Sequence, residues 1–430
     1  MAQAVPGGIP RIAPPRIVRE GVLIGLGQAA AVLGGLVGVR LLTELLPPTV
    51  YGEAVLLTGL AALGTGLFCA PFQQALLRHY PDARNAGAVR AFRREAGRIL
   101  GLGAAALAVL LVAAGALRGS GAAFAAAAAL VAVDAWRSFE SGLLNGERRQ
   151  ADYMVRTGLD AWARWLAGAA LAFWLGPAAL HVLVGFVLGS GVVGLALRHR
   201  IVRGKAEESS ARETWGAQRR AAFLAYALPL VPLAALNWIF SMGDRYVLAA
   251  SWSTAATGVY VAAYGLASQP FIAVNNMIHN TLRPVLYDAV AAGDVAKERR
   301  TLRIWIAVVV TVMVLGWAAL SLLAGPLCRL LLGSAYQKAS ALVPLLAAAY
   351  ALQGIQQTFE IMLFAHAGTK RLVALQAVAA AASLVLYLVL IPAGGARGAA
   401  QATLGTFVLT TIVAFFLADA PTRLGLRRAR

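Results

Sequence analysis

Charge, cysteine and extended polar sequence are all scarce in this chain. Asp, Glu, Lys and Arg make up 13% of its 430 residues, about half the share in an ordinary soluble domain. That excludes a water-exposed surface for most of its length. The two cysteines, Cys69 and Cys328, lie far apart; they give no disulfide framework and no metal-ligand spacing, and read as packing residues. No Gly-rich loop ends in Lys-Ser/Thr, and neither His-Glu-x-x-His nor Gly-x-Ser-x-Gly occurs. The longest polar interruption is residues 198–220, which leaves no room for a soluble catalytic or ATP-hydrolysing domain. The chain is therefore expected not to be an enzyme, and to need neither cofactor nor metal. Its five histidines are scattered and none is assigned as a ligand.

What fills the chain is apolar sequence: 60% hydrophobic residues and a mean hydropathy of +0.71. A bilayer core needs roughly 20 apolar residues per helix, and windows of that kind recur at 20–42, 54–77, 96–117, 121–144, 157–177, 180–198, 221–243, 256–282, 303–325, 341–366, 372–392 and 398–418. The alternating ten-residue segments of a membrane β-barrel are absent. The sequence thus predicts an all-α polytopic membrane protein with about twelve transmembrane helices. The first span starts at Arg19-Glu20 and reaches Arg40 without a small-residue cleavage site, so it reads as a retained helix rather than a signal peptide.

The net charge of +19 sorts by loop. Of 38 Lys and Arg residues, 30 fall on the side of the two termini, and six lie opposite: Arg40, Arg118, Arg245, Arg329, Lys338 and Arg397. Arg137 and Arg164 lie inside spans. By the positive-inside rule both termini are expected in the cytoplasm, with the basic excess meeting anionic membrane lipids rather than nucleic acid.

The stretch "RHRIVRGKAEESSARETWGAQRR" (198–220) divides the chain into an N-terminal six-helix lobe (1–200), a linker (201–220) and a C-terminal six-helix lobe (221–430). The lobes share a repeat. Arg40 and Arg78 close spans 1 and 2, as Arg245 and Arg283 close spans 7 and 8, at the same spacing; "SFESGLLNGERR" matches "TFEIMLFAHAGTKR", pairing Glu140 with Glu360. Two six-span copies enter the membrane in the same direction, so an axis along the membrane normal and a central cavity between pseudo-symmetric lobes are expected.

On "RLLTELLPPTVYGEAVLL" (40–57), "FQQALLRHYPDA" (72–83) and the Gly-plus-basic end of span 4, the chain resembles the lipid-linked oligosaccharide flippases of the multidrug/oligosaccharidyl-lipid/polysaccharide exporter superfamily. The resemblance runs from about residue 20 to 420. It implies a V-shaped cavity worked by alternating access and an undecaprenyl-diphosphate-linked oligosaccharide as substrate. That substrate moves from the cytoplasmic to the periplasmic leaflet of the bacterial inner membrane, for O-antigen, capsule or exopolysaccharide assembly. Downstream polymerase or assembly proteins are the implied partners.

Intramembrane charge costs roughly 2.5–3.5 kcal/mol per residue on insertion scales, so it marks either a partner or a wet cavity. Asp134, Arg137 and Glu140 share one flank of span 4, and Arg156, Asp160 and Arg164 form a stripe on span 5. One reading is a salt-bridge network closing the lobe. The other places Arg137 and Arg164 on the diphosphate, where a planar fork binds phosphate oxygens bidentately. In that reading Asp134, Glu140, Asp160 or Glu360 carries a coupling ion, H+ or Na+. Arg40 and Arg245 are either interface residues, with Asp244 beside Arg245, or a second anionic site. Gln28, Gln73, Gln74, Asn275, Asn276, Gln353, Gln356 and Gln357 read as a sugar path or as interhelical hydrogen bonds. Pro71, Pro229, Pro232 and Pro270 mark expected bends. Two competitors remain: a cation-coupled multidrug antiporter, which needs an acidic or aromatic cavity, and a membrane glycosyltransferase or ligase, which needs a larger outward loop.

Overall fold

The computed structural model describes residues 14–203, 216–366 and 368–424, and among these it contains helices and no strand. The first half consists of α1 (Pro14–Leu45), α2 (Pro48–Phe68), α3 (Ala70–Asn85), α4 (Val89–Leu117), α5 (Gly121–Gly146), α6 (Gln150–Leu175) and α7 (Ala179–Arg203). The second half consists of α8 (Ala217–Ala227), α9 (Val231–Ser251), α10 (Thr254–Ala291), α11 (Val295–Leu322), the short α12 (Ala324–Leu331), α13 (Val343–Ala365), α14 (Thr369–Leu417) and α15 (Ala420–Arg423). Helix is what a bilayer demands, because a lipid-exposed backbone must bond its own amides and carbonyls.

All twelve expected spans fall on helix. Spans 2 and 7 are each built from two helices, α2 with α3 and α8 with α9. The breaks lie at Cys69, beside Pro71, and at a 3-10 turn over Leu228–Leu230, beside Pro229 and Pro232. The bend expected at Pro270 is not a break, since α10 continues through Pro270 and Pro284. Spans 11 and 12 are the two arms of α14, whose backbone turns at Gly395 (φ 55°, ψ −136°). Gly398 then lies against the Leu390 carbonyl with no room for a Cβ, a proximity that a straight helix forbids. Length and composition alone select eight crossing helices, or nine with the bent pair Ser334–Ala341 and Val343–Ala365. That tally is lower than twelve because α14 counts once and because α6 and α10 carry polar residues.

Large apolar side chains face outward, among them Leu102, Val109 and Leu110 on α4, Leu315 on α11 and Leu388 on α14. Such a continuous surface suits lipid, not water. Within the first half α6 packs on α1 and α7, and α5 on α4, α7 and α2; within the second, α13 packs on α14, α10 and α11, and α9 on α14. These are the two six-span lobes, and they meet mainly through α2 with α10 and α9, α1 with α10, and α3 with α8. Most of the expected linker, and both chain termini, lie outside the described residues.

The turns α1/α2, α4/α5, α6/α7 and α9/α10 and the elbow from α12 to α13 share one end of the bundle, here the narrow end. Loops α3/α4, α5/α6, α10/α11 and α13/α14 share the other. Most of the described Lys and Arg residues sit there, so it is the basic end.

Candidate functional site: a cavity between the lobes

At the narrow end the lobes are locked backbone to backbone. Gly52 of α2 faces the Thr254 carbonyl and Gly258 of α10 faces the Pro48 carbonyl, each so closely that a Cβ would collide. The two contacts are reciprocal, as a pseudo-twofold between repeats requires. Around them, Arg40 Nη1 donates to the Leu332 carbonyl (2.6 Å) and pairs with Glu44 (2.8 Å). The Gly333 amide donates to Thr43 Oγ1 (3.0 Å), Tyr336 to the Leu46 carbonyl (2.9 Å), and Tyr246 to the Leu56 carbonyl (2.7 Å). Arg40 thus bridges the lobes.

Behind this closure lies a cavity of about 370 Å³ between α1, α2, α6, α9, α10 and α12. Its wall is mostly small and apolar on the α1 side, with Gly35, Leu36 and Val39. Tyr51, Thr58, Trp165, Tyr264, Ser268 and Gln269 add rings and hydrogen-bonding groups. Among the described residues, Arg245 is the cation that lines it. This side chain is 8% exposed, so it is no snorkelling interface residue. Its guanidinium carbon stands 4.8 Å from the centre of the Tyr264 ring, Nη1 meets the Met242 sulfur, and Nε has no hydrogen-bond partner. Asp244, the neighbour in sequence, turns its carboxylate to the Tyr260 hydroxyl (2.5 Å) and the Arg245 backbone amide (2.8 Å). Arg245 therefore forms no ion pair among the described residues. A desolvated guanidinium whose neighbouring carboxylate is turned to Tyr260 is only partly compensated, and an anion entering the cavity would complete it.

The charges of α5 and α6 meet a different arrangement. Arg164 pairs with Asp134 (2.8 Å), and Arg137 with Asp134 (3.3 Å) and Asp160 (3.4 Å). Arg156, 2% exposed, pairs with Glu140. Every cation of the two stripes has a carboxylate, and the guanidinium of Arg164 also lies 5.2 Å from the Phe186 ring. None of these residues lines the cavity.

The uncharged residues named from sequence also stand apart from it. Asn275 bonds Gln357 across α10 and α13. Gln356 donates to Glu360 (2.9 Å) and accepts from Thr410 (2.6 Å), inside the second lobe. Gln353 shares a small polar pocket with Asp244, Tyr387 and Thr403. Gln73 lies beside Gly142, whereas Gln28, Gln74 and Asn276 are exposed. Glu360, the repeat partner of Glu140, has no arginine beside it among the described residues. Sequence reading missed Tyr51, Trp165, Tyr264 and Gln269, since aromatic residues in apolar spans carry no motif. It also missed the polar pocket around Asp244; an acid beside Arg245 was the available signal and was read only as an ion-pair partner.

The chain has relatives of known kind. The sequence family described as "Polysaccharide biosynthesis protein" matches residues 41–341, more than half of the chain. No curated protein matches the sequence. Among solved structures, the fold is similar to a lipid II flippase MurJ in an inward closed conformation. The TM-score is 0.72 at 14% identity, over 92% of this chain and 87% of that one. It is also similar to an inward-facing multidrug resistance MATE family transporter of the MOP superfamily (TM-score 0.68, 15% identity, covering 94% and 96%). The Vibrio cholerae MATE transporter VcmN gives a TM-score of 0.65 at 14% identity, covering 95% and 97%. At such identities the likeness establishes the fold alone.

Proposed function

Because the chain belongs to the polysaccharide biosynthesis protein family, whose fold is that of a two-lobed membrane transporter, we propose that it is a flippase for lipid-linked oligosaccharide. Its substrate in this reading is an undecaprenyl-diphosphate-linked sugar chain, moved from the cytoplasmic to the periplasmic leaflet of the bacterial inner membrane. The basic end faces the cytoplasm, in keeping with its Lys and Arg excess.

One observation carries the reading: among the described residues, the inter-lobe cavity holds a buried Arg245 that forms no ion pair, and no carboxylate lines its wall. The guanidinium favours an anionic head group and opposes the organic cations that the aromatic rings of the wall would otherwise attract. The fold by itself does not choose between these cargoes. Tyr51, Trp165 and Tyr264 offer ring faces to sugars, and Ser268 and Gln269 offer hydrogen bonds. Arg137 and Arg164, with both partners satisfied, fit a lobe scaffold better than a diphosphate clamp. A coupling ion, H+ or Na+, would then act at Glu360 or Asp244, intramembrane carboxylates that form no ion pair with an arginine among the described residues.

Equilibrium binding of a short-chain prenyl-diphosphate sugar to the purified protein tests this, with a lipophilic cation as control. Loss of a charge-assisted bond is worth about 1.5–3 kcal/mol, so Arg245→Gln is expected to weaken diphosphate binding roughly ten-fold or more. Tighter binding of the cation, unaffected by Arg245→Gln, would instead favour the antiporter.

A further inference from the structure

A second cationic pocket lies far from the inter-lobe cavity, at the basic end of the C-terminal lobe. It sits between the α13/α14 turn and α15, and has a volume of about 550 Å³. His366, Lys370, Arg371 and Arg423 line it. Glu298 is the carboxylate at its edge, and it is engaged with Arg423 (3.3 Å) and His366 (3.2 Å). Arg371 donates Nη1 to the Leu417 carbonyl (3.1 Å), which ties one edge of its guanidinium to the end of α14. Neither Lys370 nor Arg371 forms an ion pair among the described residues.

The internal repeat shows that for Arg371 this lack is specific to the second lobe. Lys370 and Arg371 correspond to Arg148 and Arg149 at the α5/α6 turn. There Arg149 bonds Asp152 (2.9 Å) and Glu147 (3.3 Å), and Glu147 also takes Arg93. In the C-terminal turn the positions of Glu147 and Asp152 are occupied by Thr369 and Ala374. The first lobe neutralises its turn with its own carboxylates. In the second lobe the carboxylates are gone while the cations remain. The pocket also contains Gly368, which leads into α14, and among the described residues no side chain caps the free amides of that helix. A guanidinium fork, an ammonium and free amides converging on one volume are complementary to phosphate oxygens.

We propose that this pocket binds a phosphate-bearing headgroup, which supplies the negative charge that Glu147 and Asp152 supply in the N-terminal lobe. The shared chemistry is a phosphate with at least two free oxygens, carried either by an anionic lipid of the adjacent leaflet or by free phosphate. The inference does not depend on the cargo of the inter-lobe cavity.

The test compares the native chain, Lys370→Gln/Arg371→Gln, Lys370→Gln alone and a control, Arg90→Gln/Arg94→Gln. The control removes two exposed charges from the same end of the molecule. One arm measures phosphatidylglycerol binding and retention in phosphatidylcholine nanodiscs with and without phosphatidylglycerol; the other measures binding of inorganic phosphate in pure phosphatidylcholine. At the usual contribution of a basic residue to anionic-lipid binding, the double variant is expected to bind about thirty-fold more weakly than the native chain, and the single variant about five-fold. The control should bind as the native chain does. Dependence on Lys370 and Arg371 in the lipid arm identifies a lipid headgroup, and the same dependence in the phosphate arm identifies free phosphate. Equal binding by all four proteins overturns the proposal, as does an equal loss in the control, which would reduce the effect to general surface charge.

Discussion

At the scale of single residues, the decisive contrast is between the arginines of the α5 and α6 stripes, each with a carboxylate, and Arg245, which lines the cavity and forms no ion pair among the described residues. Arg156 and Glu140 are both buried and paired. Removing one member of such a pair typically costs about 3–5 kcal/mol, because the other charge stays buried. Glu140→Gln is therefore expected to lower the thermal unfolding midpoint in detergent sharply, and Glu140→Gln/Arg156→Met to recover most of the loss. If the single variant is as stable as the native protein, the pair is not holding α5 to α6. The sequence made these charges visible and their i,i+3 and i,i+4 spacing placed them on shared flanks, but spacing along one helix does not reveal the partner on the next. Arg137, Arg164 and Arg156 each found a carboxylate across the α5/α6 interface. Arg245, with an acid next to it in the chain, did not, because Asp244 points to Tyr260. Which of two adjacent charges faces a cavity depends on helix rotation, which apolar patterning in an all-apolar span leaves open.

At the scale of elements, the twelve spans were legible because hydropathy reports burial in lipid directly, and the breaks beside Pro71 and Pro229 followed from proline's missing amide. Pro270 shows the limit of that rule, since α10 absorbs it without a break. One close contact between the lobes was not legible: Gly52 sits just ahead of the second expected span and Gly258 inside the eighth, and only the crossing of α2 over α10 shows that neither tolerates a Cβ. Gly52→Val is expected to hold the narrow end apart. Spin labels at Thr49 and Lys338, both exposed there, should report a longer and broader distance distribution in the variant. An unchanged distribution would mean that α2 and α10 do not set the closure.

At the scale of the whole molecule, the lobes are joined at the narrow end by Arg40, Thr43, Tyr246, Tyr336 and the paired glycines, while at the basic end the main bridge is α8 on α3. The cavity with Arg245 lies between those ends, the arrangement that alternating access needs. Fold class and the two-lobed plan could be read from the sequence because repeat spacing and charge asymmetry survive in an alanine-rich chain. The cavity wall could not, since its rings come from α2, α6 and α10 and no local pattern unites them. The most direct test is leaflet transfer of an undecaprenyl-diphosphate oligosaccharide in proteoliposomes, run with and without imposed proton and sodium gradients and with a lipophilic cation as alternative cargo. The native chain is expected to move the sugar lipid, Arg164→Gln to retain part of that activity in proportion to its folded fraction, and Arg245→Gln to lose at least nine-tenths of it while remaining folded, in line with about 1.5–3 kcal/mol for a charge-assisted bond. Transport of the cation but not the sugar lipid, or full sugar-lipid transfer by Arg245→Gln, would contradict the account.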